Sequence, residues 1–185
     1  MLGSDILKVD SFLNHQIDPF LMSQIGQVFA EKFSHENISK VLTIESSGIA
    51  PALMTSFQLQ VPMIFARKHQ SRTLNEEFFS ANVYSYTKQT ENQIAISKRF
   101  INPGDRVLII DDFLANGQAV QGLLDIISQA GASAVGVGIV IEKRFQAGHQ
   151  LILSKNLPLV SLASIDRFED GQVIFSKQGE TSHVN

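Results

Sequence analysis

Apolar residues in this chain switch repeatedly between helical spacing and short continuous runs, and the switches mark the elements. After Asp18-Pro19, Leu21, Ile25, Val28, Phe29 and Phe33 recur on one helical stripe. Asp is a good N-cap and proline suits the first helical position, so an amphipathic helix is predicted there. Val41-Leu42-Thr43-Ile44 is a continuous run with β-branched members, the pattern of a strand covered on both faces. A polar turn, Glu45-Ser46-Ser47-Gly48, leads to a short helix reaching Phe57, and residues 62–66 read as the next strand. From Arg67 to Asn92 the pattern turns polar, then alternates through Val83-Tyr84-Ser85-Tyr86-Thr87. With Ile94-Ala95-Ile96 this predicts a paired, mobile excursion, with Lys88 either on a loop able to close as a lid or on a plain exposed hairpin.

The core pattern resumes after the turn signal Asn102-Pro103-Gly104-Asp105. Residues 107–110 predict a buried strand, and residues 117–130 a helix carrying Val120, Leu123, Leu124 and Ile127 on one face. Gly131 ends that helix. A strand at 135–141, a helix near 146–153, a strand at 159–165 and a hairpin around Asp170-Gly171 ending in Val173-Ile174-Phe175 complete the chain. The expected class is α/β: a central parallel sheet flanked by helices, with an inserted flap. No repeat, low-complexity tract or linker divides the sequence, so one domain over residues 1–185 is expected.

Composition narrows the functions this fold could carry. With 185 residues, 44% hydrophobic and 18% charged, the chain can bury a core of its own. The formal charge of −3 gives no broad basic field for nucleic acid or an anionic membrane, so any phosphate recognition has to be local. Cysteine is absent, which removes disulfides, thiol nucleophiles and thiolate metal sites. His15, His35, His69, His149 and His183 form no i, i+4 pair, so a histidine-built metal site is not expected. The opening Met1-Leu2-Gly3-Ser4-Asp5 lacks the features of a secretion signal, and no apolar run approaches the ~20 residues of a membrane span. A cytoplasmic protein is expected.

The chemistry concentrates where the strand at 107–110 ends. Asp111 and Asp112 follow four apolar residues, and the small loop Ala115-Asn116-Gly117-Gln118-Ala119 then opens a helix. Carboxyl edges of parallel strands are where open α/β sheets bind ligands. A small-residue loop lets backbone N–H groups converge, and the helix N-terminus favours an anion, so a phosphate is expected there. The spacing of glycines required for a dinucleotide fingerprint follows no strand.

The segment 107–119 resembles the phosphoribosyl diphosphate (PRPP) motif of the type I phosphoribosyltransferases. That resemblance implies their fold, a central parallel sheet with a flexible flap and a small hood. It also implies that Asp111 and Asp112 face the ribose hydroxyls, that Ala115, Asn116, Gly117, Gln118 and Ala119 hold the 5′-phosphate, and that Mg²⁺ arrives with the pyrophosphate rather than on protein ligands. Many members carry hydroxyl residues where this chain has Asn116 and Ala119. Residues 6–19, Thr43-Ile44-Glu45-Ser46-Ser47-Gly48-Ile49-Ala50-Pro51, Phe65-Ala66-Arg67-Lys68-His69 and Ile139-Val140-Ile141-Glu142-Lys143 resemble the bacterial xanthine-specific branch of that family. This implies Leu7, Asn14 and Lys143 at the base, purine salvage from xanthine and PRPP, and a homodimer.

Ser46, Ser47 and Gly48 offer hydroxyls and accessible backbone for pyrophosphate, and Arg67 and Lys68 offer cations for the leaving group. On residues alone, each of these is also an ordinary capped turn or a solvated charge pair, and Lys143 beside Glu142 is also a solvated strand-end ion pair. Two alternatives share the phosphate loop: a hypoxanthine/guanine phosphoribosyltransferase, and a PRPP-sensing purine regulator. The regulator needs a DNA-binding segment, yet few residues precede Leu7 and the charge is acidic, so an enzyme is expected.

Overall fold

The structure, a computed structural model, describes residues 13, 15–68, 77–85, 89–169 and 171–176. At its centre is β5 (Arg106–Leu114), in which Val107, Leu108, Ile109 and Ile110 are all fully buried. A strand with no exposed face has to be covered on both sides, and the packing shows how. Val107 and Ile109 pack with α3 (Gln118–Gln129), while Leu108 and Ile110 pack with α1 (Pro19–Lys32) and α2 (Ile49–Leu59). Around β5 run β1 (Lys40–Ile44), β2 (Met63–Ala66), β6 (Ser133–Lys143), β7 (Leu159–Glu169) and β8 (Gln172–Phe175), in the order β2-β1-β5-β6-β7-β8. All neighbours are parallel except β7 and β8.

The helix ends follow the sequence signals. The Asp18 carboxylate accepts from the N–H groups of Phe20 and Leu21 at 3.0 and 3.1 Å, so α1 begins at Pro19 as expected. Its buried face is Met22, Ile25, Gly26 and Phe29, while Val28 turns toward solvent. Phe29 is fully buried against β6, where the absence of a Cβ at Gly138 leaves room for its ring. Burying such a side chain contributes about 1.5–3 kcal/mol.

Strands β3 (Phe78–Ser85) and β4 (Thr90–Ser97) form a separate antiparallel hairpin. It hangs from the end of β2, because the backbones of Arg67 and Ala95 exchange two 3.0 Å hydrogen bonds. Val83 and Ile94 rest on α3 at Gly122. The expected excursion is thus a hairpin with an anchored stem; Lys88, Tyr86, Thr87 and residues 69–76 lie outside the described residues. Of the elements whose bounds differ from the sequence reading, two bear on the site. β5 continues through the acids to Leu114, because the edge of β6 runs beside it to Glu142. The last helix, α4 (Gly148–Leu153), starts later than Gln146.

Candidate active site

The order of the central sheet reverses between β1 and β5: the chain leaves β1 toward β2 and leaves β5 toward β6. Loops after the two strands therefore diverge and leave a crevice at their carboxyl ends, the usual ligand position in open α/β sheets. A cavity of about 580 Å³ occupies it. It is lined by the turn Glu45, Ser46, Ser47 and Gly48 after β1, by Asp111 and Asp112 on β5, and by the loop of residues 115–119 leading into α3.

Asp111 is 3% exposed, whereas Asp112 beside it is only half-buried. Burial, and next the charge of Asp112, push the Asp111 carboxyl well above the ordinary carboxylate range, with Lys68 opposing the shift. The Asp112 N–H donates to Asp111 Oδ1 at 3.0 Å, which fixes the rotamer. Two crowded carboxyl groups are suited to accept from hydroxyl donors or to face a cation. Among the described residues no three His, Cys, Asp or Glu side chains converge on a point. The pair fits a Mg²⁺ ion that brings most of its oxygen ligands with it, as an ion chelated by a diphosphate does.

The loop after β5 is shaped by close backbone packing. Gly117 sits at φ +79, and a Cβ there would also lie 3.0 Å from Gly148 Cα and 2.7 Å from Leu151 Cδ2. The Gly148 N–H donates to Ala115 O at 2.9 Å, so the loop rests on the first turn of α4. Glycine at the N-cap brings no side chain to the first N–H groups of α3, which leaves that helix end suited to an anion.

The structure brings most of the sequence candidates together. Asp111, Asp112, Ala115, Asn116, Gly117, Gln118, Ala119, Ser46, Ser47, Gly48, Lys68 and Lys143 all line the one cavity. Arg67 does not: its guanidinium lies 3.7 Å from Glu45 Oε2 and is largely exposed. The other Glu45 oxygen accepts from the Lys68 N–H at 2.7 Å, so Glu45 fixes the strand end that presents Lys68. Lys143 lies at the β6 edge of the cavity, its ammonium 5.9 Å from the Phe168 ring. Leu7 and Asn14 lie outside the described residues. Sequence reading missed Tyr84 and Asn92 of the hairpin, and Gln146, all of which line the cavity. The alternation around Val83 signalled a strand but not which residue would face the crevice, and Gln146 carried no signal.

Comparison with known proteins agrees with this geometry. The phosphoribosyl transferase domain family model matches residues 16–171. A xanthine phosphoribosyltransferase of Oenococcus oeni is 96% identical over 185 residues, covering 100% of this chain and 90% of that protein. One from Lacticaseibacillus casei is 58% identical over 178 residues, covering 96% and 93%. Among solved structures, the adenine phosphoribosyltransferase of Rhodothermus marinus superposes with a TM-score of 0.69 at 25% identity, covering 80% of this chain and 81% of that one. The corresponding enzyme of Thermoanaerobacter pseudethanolicus gives 0.70 at 19% identity, covering 80% and 86%, a likeness of fold. A phosphate-type loop, paired acids at the switch point and these matches together place the chain in the phosphoribosyltransferase family, in its xanthine phosphoribosyltransferase branch.

Proposed function

We propose that the chain transfers the 5-phosphoribosyl group of PRPP to N9 of xanthine, giving xanthosine 5′-monophosphate and pyrophosphate. The observation that carries this reading is one cavity lined by Asp111, Asp112, the 115–119 loop and Lys143 together. A new bond forms between N9 and C1 of the ribose, and the C1–oxygen bond to pyrophosphate breaks with its electron pair leaving on oxygen. The proton lost from the base passes to solvent. Little covalent work falls to side chains, and positioning and charge stabilisation dominate.

Each wall then has a task. Backbone N–H groups of Ala115, Asn116, Gly117, Gln118 and Ala119 hold the 5′-phosphate at the start of α3. Asp111 and Asp112 accept from the ribose hydroxyls. Ser46, Ser47, Gly48 and Lys68 receive the departing pyrophosphate, with Arg67 bracing Glu45 behind them. Mg²⁺ bound with PRPP supplies positive charge to the leaving group. Lys143 donates to a base carbonyl, which favours an oxopurine over adenine, and Leu7 and Asn14 complete that pocket. The reading extends to a cytoplasmic homodimer. It is supported by large exposed apolar side chains on α1, α2 and β2, Phe20, Leu53, Phe57 and Phe65, while no helix among the described residues is long and apolar enough to cross a membrane.

The test is PRPP-dependent turnover of xanthine, guanine and hypoxanthine by the wild type and by Lys143→Ala. A hydrogen bond to a charged group is worth about 1.5–3 kcal/mol. Lys143→Ala is therefore expected to cut kcat/KM for xanthine by about 10- to 100-fold, with a smaller loss for hypoxanthine. A wild type that turns over hypoxanthine as fast as xanthine would sink the substrate assignment.

A further inference from the structure

Two buried ionisable groups take no part in the transfer just described. Glu142 is 2% exposed and His149 7%. The Nδ1–H of His149 donates to Glu142 Oε1 at 2.5 Å, and the Ser164 hydroxyl donates to Glu142 Oε2 at 3.0 Å. Both carboxylate oxygens are thus engaged by donors from different elements, α4 and β7. Burying such a group costs desolvation that well-packed apolar residues would avoid, so its benefit is to be sought in geometry.

The geometry points at the phosphate loop. Glu142 pairs in register with Leu114, the last residue of β5 before that loop. His149 directly follows Gly148, whose N–H holds Ala115 O and whose Cα lies against Gly117. Helix α4 has only six residues, too few to be stable without tertiary anchors. Lys143 belongs to the other side of β6, near Phe168, which packs with the α1–α2 core, whereas Leu114 packs with the α3 core.

We propose that the Glu142–His149 hydrogen bond, closed by Ser164, is a positioning device for the phosphate half of the site. It clamps α4 to β6, and α4 holds the backbone of residues 115–117 so that the N–H groups converge. This rests on the 115–119 loop being the seat of the 5′-phosphate. The device acts on one substrate only, because the base-side lysine is on the opposite face. Loss of the His149 donor is expected to raise KM for PRPP about tenfold, the effect of losing one charge-assisted hydrogen bond. KM for xanthine stays within about twofold.

The experiment compares wild type, His149→Leu and His149→Asn by separate KM values for PRPP and xanthine, by calorimetric binding of ribose 5-phosphate, and by melting temperature. Asparagine can place an amide N–H near the position of Nδ1, so His149→Asn is expected to recover most of the PRPP affinity at which His149→Leu fails. A folded His149→Leu whose two KM values rise together, or whose ribose 5-phosphate affinity is unchanged, overturns the inference. Should His149→Leu not fold, Ser164→Ala carries the same test: a rise in KM for PRPP alone supports the device, and an unchanged value overturns it. Wild-type binding separates the two claims. A wild type that binds neither ribose 5-phosphate nor PRPP defeats the functional reading and this inference with it, whereas tight wild-type binding unaffected by His149→Leu defeats the positioning device alone.

Discussion

At Asp111, burial and the neighbouring Asp112 both oppose ionisation, and the consequence is a pH dependence of known sign. An unfolded aspartate titrates near pH 3.9, and in the folded chain the proton is held to higher pH. Between those two values the folded state binds more protons than the unfolded one. Stability is therefore fully present below about pH 3.9 and lost as pH rises through the folded value. Asp111→Asn removes the ionisation while keeping an oxygen that can accept from the Asp112 N–H. Its melting temperature is expected to exceed wild type at pH 7, by about 2–4 °C for each kcal/mol relieved. The excess should vanish toward pH 4, as calorimetric scans across that range would read. Activity should fall by about 10²-fold, since the ribose loses one of its two positioning acids. A wild-type melting temperature that does not decline relative to Asp111→Asn as pH rises would contradict this account.

Among the elements, the β3–β4 hairpin is one whose position depends on a single absent side chain. A Cβ at Gly122 would lie 2.6 Å from Val83 Cγ2 and 3.3 Å from Ile94 Cδ1, so the stem sits on α3 only because residue 122 is glycine. Two effects of Gly122→Ala compete. Alanine improves helix propensity by about 1 kcal/mol, while overpacking against a stiff β-branched neighbour costs about 1–3 kcal/mol. The clash wins, and the outcome is local: faster amide hydrogen exchange in residues 78–85 and 90–97, with β5 and β6 protected as before. Because Tyr84 and Asn92 line the cavity, turnover should fall as well. Unchanged exchange in both hairpin strands would show that the stem tolerates the methyl group.

For the whole molecule, the crevice joins elements on both sides of the switch point, β1 with its turn, β5 with its loop, the hairpin and β6. A ligand filling it bridges parts that come from both sides of the switch point. PRPP with Mg²⁺ at about 100 times its Kd should stabilise the fold by about 2.7 kcal/mol, a rise of roughly 5–11 °C in melting temperature. A thermal shift series with PRPP, Mg²⁺ alone and pyrophosphate reads this. A shift equal for Mg²⁺ alone would argue against the phosphate loop as the anchor.

Much of this architecture is legible in the residues, because periodicity reports local burial. The continuous run at 107–110, the helix begun at Asp18-Pro19 and the paired acids before a small-residue loop each announce their surroundings within a few positions. Asp111, Asp112 and the 115–119 loop could be named for the same reason: the strand, the acids and the helix start are contiguous. What sequence could not decide depends on contacts between distant segments. Ile110 packs with the α1–α2 core and Leu114, four residues on, with the α3 core, so the strict alternation breaks between them, at the acids. Arg67 and Lys68 are neighbours of equal charge, yet only Lys68 reaches the cavity, since Glu45 in the turn after β1 holds Arg67 away. Glu142 reads as the partner of Lys143 in a strand-end pair. Its buried bond to His149 exists only once α4 has folded back against β6. Local pattern determined the elements and the chemistry of the loop; the order of the sheet decided which side chains share the crevice, because no short-range periodicity records which strands become neighbours.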